Sequence, residues 1–143
     1  MKLVIGLDGQ SSGDKALEFA KDLATRTSDC ELIVVYVIEW SPFSFQTAEE
    51  NAERHKRREE EISIATDRVV NPAVKTLSDA GLSARAIVRH GNVADTLDRI
   101  ADSEGASQII IARSSAGGLS SRVFGSSTAN LVMHARVPIT VVV

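Results

Sequence analysis

Residues 113–128 read Arg-Ser-Ser-Ala-Gly-Gly-Leu-Ser-Ser-Arg-Val-Phe-Gly-Ser-Ser-Thr, concentrating glycines, hydroxyl side chains and cations just ahead of a helical pattern. That composition suits a phosphate group. Gly117, Gly118 and Gly125 permit close approach of the backbone, and the amides of Ser126 and Ser127 fall at the positive end of the following helix. Ser120, Ser121, Ser126, Ser127 and Thr128 add hydroxyl donors, and Arg113 or Arg122 adds charge. An ordinary solvated turn closed by a serine cap has the same composition, so the loop alone does not choose between the two.

Asp8 is the other residue placed to do chemistry, at the end of the apolar run Lys2–Leu7 and before Gly9. A phosphorylated receiver aspartate needs neighbouring carboxylates to hold a metal, and the first strand supplies only one. Asp8 as a plain turn residue before Gly9 is the simpler alternative. Gly9-x-x-x-Gly13 lacks the lysine and hydroxyl of a P-loop, and no GxGxxG follows the first strand. His55, His90 and His134 are too dispersed to form a ligand set. The single cysteine, Cys30, excludes an internal disulfide framework and a CxxC metal knuckle, and no histidine is placed to activate it. Trp40, Phe43 and Phe45 surround Pro42, either as an apolar lid or as loop aromatics tucked against the sheet.

The bulk properties narrow the field. Lys plus Arg number 16 against 19 Asp plus Glu, for a net charge of −3, so there is no basic field for general nucleic-acid affinity. No apolar run reaches the roughly 18 residues that span a bilayer, and Met1-Lys2 leads straight into a strand pattern without a signal-peptide core. The expectation is a cytoplasmic protein with no membrane or nucleic-acid partner. At 143 residues one hydrophobic core accounts for the chain, a single domain over 1–143.

The elements that must position Asp8 and the glycine-serine loop alternate regularly. Apolar, β-branched runs at 2–7, 32–38, 84–89, 108–112 and 138–143 read as strands, and Arg85 and Arg89 mark the third as a sheet edge or a half-exposed face. Between them, Ser11-x-x-Asp14, Thr47-x-x-Glu50 and Asn92-x-x-Asp95 have the spacing of helix caps, and Gly81 and Gly105 stand where helices end. The run Glu49–Glu61 is nearly all charged and belongs in water, and Pro72 predicts a kink or break near 68–71. A last helix spans 126–135. This β-α-β-α-β-α-β-α-β order predicts an α/β parallel sheet with helices on both faces and a ligand crevice where strand order reverses, beside Asp8-Gly9 and the 113–127 loop.

Four segments resemble the universal stress protein family along nearly the whole chain: Val4-x-Gly-Leu-Asp-Gly-x-Ser11, Val35-Tyr-Val-Ile38, Val88-x-x-Gly91 and Gly117-Gly-Leu-x5-Gly-Ser126. Nucleotide-binding members of that family carry G-x2-G-x9-G-[S/T] after the fourth strand. Here those positions fall on Ala112, Ser115, Gly125 and Ser126, so the second half matches and both leading glycines are replaced. The resemblance implies strand order 3-2-1-4-5 in an adenine nucleotide alpha hydrolase-like, flavodoxin-like three-layer sandwich. It implies ATP, ADP or AMP as ligand, with magnesium an optional companion. Asp8 would lie near the ribose and phosphates, Val37 near the adenine, and Gly125, Ser126 and Ser127 at the phosphates. Gly6, Ile111, Ala112, Ser115, Gly117 and Thr128 complete the expected site. The family resemblance and the apolar terminal strand together imply a homodimer through Val137–Val143. A slow ATPase using Asp8 to hold a metal or orient water, and an interaction domain that binds no nucleotide, remain open alternatives.

Overall fold

A computed structural model describes residues 1–39, 47–113 and 128–143. The elements are β1 (Lys2–Leu7), α1 (Gly13–Thr25), β2 (Glu31–Glu39), α2 (Ala48–Ala65), a π-helical turn (Thr66–Val70), α3 (Asn71–Asp79), β3 (Ser83–Gly91), α4 (Val93–Glu104), β4 (Gln108–Ala112), a helix α5 over 128–134 and β5 (Ile139–Val142). All strand pairs are parallel, as the alternation predicts, and the sheet order is β3-β2-β1-β4-β5, as the family resemblance implies.

The continuous apolar runs are explained by where they lie. Leu3, Val4 and Ile5 of β1 sit between β2 and β4 and are fully buried, as are Leu32–Val35 and Ile109–Ile111 beside them. Alternate residues face opposite layers. Val4, Ile33, Val35, Ile109 and Ile111 pack with Leu97 and Ile100 of α4 and Leu131 of α5, while Leu3, Ile5, Leu32, Val34 and Ile110 pack with Ala16 and Ala20 of α1 and Ala73 and Leu77 of α3. Each such leucine or isoleucine contributes about 1.5–3 kcal/mol by leaving water.

The termini of the helices follow local chemistry. Thr47 and Glu50 form a reciprocal capping box, each side chain meeting the other's backbone N–H at 3.1 Å. Asn92 Oδ1 accepts from the Asp95 amide at 3.0 Å. Gly81 (φ +81°) and Gly105 (φ +68°) close α3 and α4 in left-handed conformations that a side chain would disfavour. The break expected at Pro72 is the π-helical turn. Proline has no N–H for its own helical bond and crowds the carbonyl of Arg68, so the ladder widens and the Asn71 amide reaches Thr66 five residues back. Before this turn α2 is a polar arm. Ala65 is its one buried residue, and His90 of β3 holds it to the sheet edge by a 2.8 Å contact with Glu61.

One expected cap is corrected. Ser11 does not cap α1; the residue before the helix is Ser12, itself in helical conformation (φ −59°, ψ −30°), and its side chain makes no cap hydrogen bond. The chain instead enters through tight turns, with the amides of Gly13, Asp14 and Lys15 donating to the carbonyls of Gln10, Ser11 and Ser12. A cap side chain reaches the helix amides from extended backbone, and Ser12 lacks it.

Candidate functional site

Strand order reverses at β1, which has β2 on one side and β4 on the other. The crevice at such a switch lies beyond the carboxyl ends of the strands. Gly6 is level with Ile111, so two residues on Asp8 and Arg113 leave the sheet at the same height. The Arg113 amide donates to the Val142 carbonyl at 2.7 Å, extending the ladder with β5 to the sheet's end.

The Asp8 carboxylate is partly exposed and held from two sides. Oδ1 accepts from the Gln10 amide at 2.9 Å and Oδ2 accepts from the Ser12 hydroxyl at 2.6 Å. Both oxygens keep a lone pair for a further donor. The turn itself depends on Gly9, whose φ of +75° is left-handed and whose missing Cβ would stand 3.3 Å from the Tyr36 hydroxyl oxygen. Burial pushes the Tyr36 phenol above its ordinary range, and the charges of Asp8 and Glu39 push it further the same way.

The other expected site residues divide into groups. Val37 is nearly buried near the carboxyl end of β2, and Ile111 is fully buried in β4; both face the α4 layer. Ala112, the last residue of β4, is buried towards α1, where its methyl joins the core in place of the family's glycine hydrogen. Gly6 is interior: a Cβ there would lie 3.0 Å from Ile111 and 3.1 Å from Leu97, so its absence lets α4 settle on the sheet. Thr128 begins the described part of α5 and is half-buried. Ser115, Gly117, Gly118, Ser120, Ser121, Arg122, Gly125, Ser126 and Ser127 lie outside the described residues, as do Trp40, Phe43 and Phe45. Sequence reasoning missed Ser12, Gln10 and Tyr36. Only Ser12 left a trace, as a hydroxyl four residues beyond an aspartate that ends a strand.

The universal stress protein family model matches residues 1–143, the whole chain. The chain belongs to the universal stress protein family. Solved structures carry the same fold at low identity. UspA from Lactobacillus plantarum superposes with a TM-score of 0.81 at 16% identity, over 100% of this chain and 97% of that one. A universal stress protein from Archaeoglobus fulgidus in complex with dAMP gives 0.64 at 18% identity, covering 100% and 98%. A universal stress protein in complex with cAMP gives 0.63 at 19%, covering 100% and 96%. No curated protein matches the chain. Among the described residues of this universal stress protein no helix is long and apolar enough to cross a membrane, and no three His, Cys, Asp or Glu side chains gather as a metal set.

Proposed function

We propose that this universal stress protein is a cytoplasmic stress-response module that binds ATP or a related adenine nucleotide between the carboxyl ends of β1 and β4, and works as a regulatory homodimer through Val137–Val143. The observation that carries the reading is the reversal of strand order at β1, which brings Asp8, with lone pairs to spare, level with the start of the glycine-serine loop. Relatives of the same fold hold dAMP and cAMP. In this reading Asp8 meets the ribose and Val37 lies near the adenine, with the buried strand residues Gly6, Ile111 and Ala112 supporting the site from below. Ser115, Gly117, Gly125, Ser126, Ser127 and Thr128 supply the phosphate donors. A magnesium ion accompanying the nucleotide would rely chiefly on phosphate and water oxygens, since such ions prefer these to all-protein cages.

Calorimetric titration with ATP and AMP tests this. The parent protein binds, and Gly125→Val abolishes binding by placing a branched side chain at the phosphates; Ser115→Gly, which restores the family's glycine, tightens binding if Ser115 serves only through its backbone and weakens it if its hydroxyl has taken over a phosphate contact. Absence of binding in both the parent and Ser115→Gly overturns the reading.

A further inference from the structure

Ser12 belongs to no part of the family motif, yet its hydroxyl is the closest partner of the Asp8 carboxylate, at 2.6 Å, in a residue only 7% exposed. A serine hydroxyl has one proton, and here that proton is committed to Asp8 Oδ2, so Ser12 has none to offer a phosphate. Its effect on a ligand runs through Asp8. The carboxylate is fixed on its other side as well. The Gln10 amide holds Oδ1, and a Cβ on Gly13 would stand 3.3 Å from that same oxygen, a contact close enough to make the carboxylate or the helix entry shift. Two donors, one on each oxygen, therefore set the plane of the carboxylate, and the absent side chain at Gly13 leaves it the room to take that setting. Its remaining lone pairs accept from O–H or N–H donors and repel phosphate oxygens. On an adenine nucleotide the matching donors near such a group are the ribose hydroxyls.

Resting on the nucleotide reading above, we propose that Ser12 is a positioning residue for ribose recognition, orienting Asp8 so that this site distinguishes a ribonucleotide from its dideoxy counterpart. The test compares AMP with 2′,3′-dideoxy-AMP by calorimetry in the parent, Ser12→Ala and Gly13→Ala, with thermal melting alongside. Gly13→Ala keeps the hydroxyl and sits in a helical position where alanine is favoured, so it remains folded and disturbs Asp8 from the opposite side. The parent prefers AMP by about tenfold, the scale of one hydrogen bond to a charged group. Both variants lose most of that preference while their affinity for the dideoxy ligand stays within about twofold of the parent's. Equal loss of both ligands in the variants, or an AMP preference that survives in both, overturns the positioning role while the nucleotide reading stands. A parent that binds neither ligand overturns the nucleotide reading and this inference together.

Discussion

The Ser12 hydroxyl donates to Asp8 Oδ2 across 2.6 Å and so ties the entrance of α1 to the end of β1. Because the hydroxyl is buried, removing its acceptor leaves a polar group unpaired. Asp8→Ala is therefore expected to cost about 1–3 kcal/mol in urea unfolding. Ser12→Ala placed on top of Asp8→Ala removes the unpaired hydroxyl and so recovers part of that cost. A double-mutant cycle with a coupling below about 0.5 kcal/mol, the level at which independent sites add, would show that the contact carries no stability.

Gly9 is the second support of this turn. Gly9→Ala forces a side chain into a φ of +75° and sets its Cβ 3.3 Å from the Tyr36 oxygen. The left-handed backbone alone costs about 1–2 kcal/mol. Adding Tyr36→Phe removes the oxygen but not the backbone penalty, so denaturation of the double variant recovers only part of the loss.

Tyr36 is the single tyrosine of the chain, so its ionisation is read directly from phenolate absorbance. Burial raises it first, and Asp8 and Glu39 add to the rise, so the midpoint lies above the ordinary tyrosine value of 10.0. Asp8→Asn lowers the midpoint without restoring that value. Since the folded protein favours the neutral phenol, its contribution to stability is complete below pH 10 and is lost as pH rises through the folded midpoint. A midpoint unmoved by Asp8→Asn would remove Asp8 from the environment of the ring.

Arg136 clamps the approach to β5 onto α4. Its backbone amide meets Asp98 Oδ1 at 3.0 Å, and its guanidinium meets Asp98 Oδ2 and, at 2.9 Å, Asp102. The amide bond is the foremost cause holding the Asp98 carboxyl below its usual range, with the guanidinium reinforcing it against partial burial. The stability this contributes is present above the ordinary carboxylate value and is lost as pH falls through the lowered one. Melting temperatures of Asp98→Asn should accordingly fall less steeply than the parent's at the acid end, and parallel acid limbs would count against the clamp.

Assembly is tested at the chain terminus. Val141 packs against the α4 layer, so charge there damages the monomer itself, whereas Val143 is 72% exposed at the end of the edge strand. Val143→Lys is expected to move the sedimenting species from dimer to monomer with little change in melting temperature. A parent that sediments as monomer would overturn the homodimer, and a dimer indifferent to the lysine would place its interface elsewhere.

Much of the fold was legible because its signals are local or periodic. Runs such as Leu3–Ile5 and Ile109–Ile111 can be that apolar only if covered on both faces, Thr47-x-x-Glu50 and Asn92-x-x-Asp95 carry their own capping partners, and Pro72 cannot continue an ordinary helical ladder. Alternation of strands and helices then required a parallel sheet, and Asp8 stood out as a carboxylate ending its first strand. Tertiary structure decided what depends on neighbours distant in sequence or on a backbone angle. Spacing pointed to Ser11 as a cap, but the helical backbone at position 12 turned the next serine towards Asp8. Gly6 looked like part of a binding motif, and its missing side chain makes room for Leu97, ninety-one residues away. Tyr36 lay inside an apolar strand pattern until pairing with Leu7 set it beside the turn at Gly9. Residue type and period specify which elements form, while the orientation of a carboxylate is set by the few atoms that folding brings within three ångströms of it.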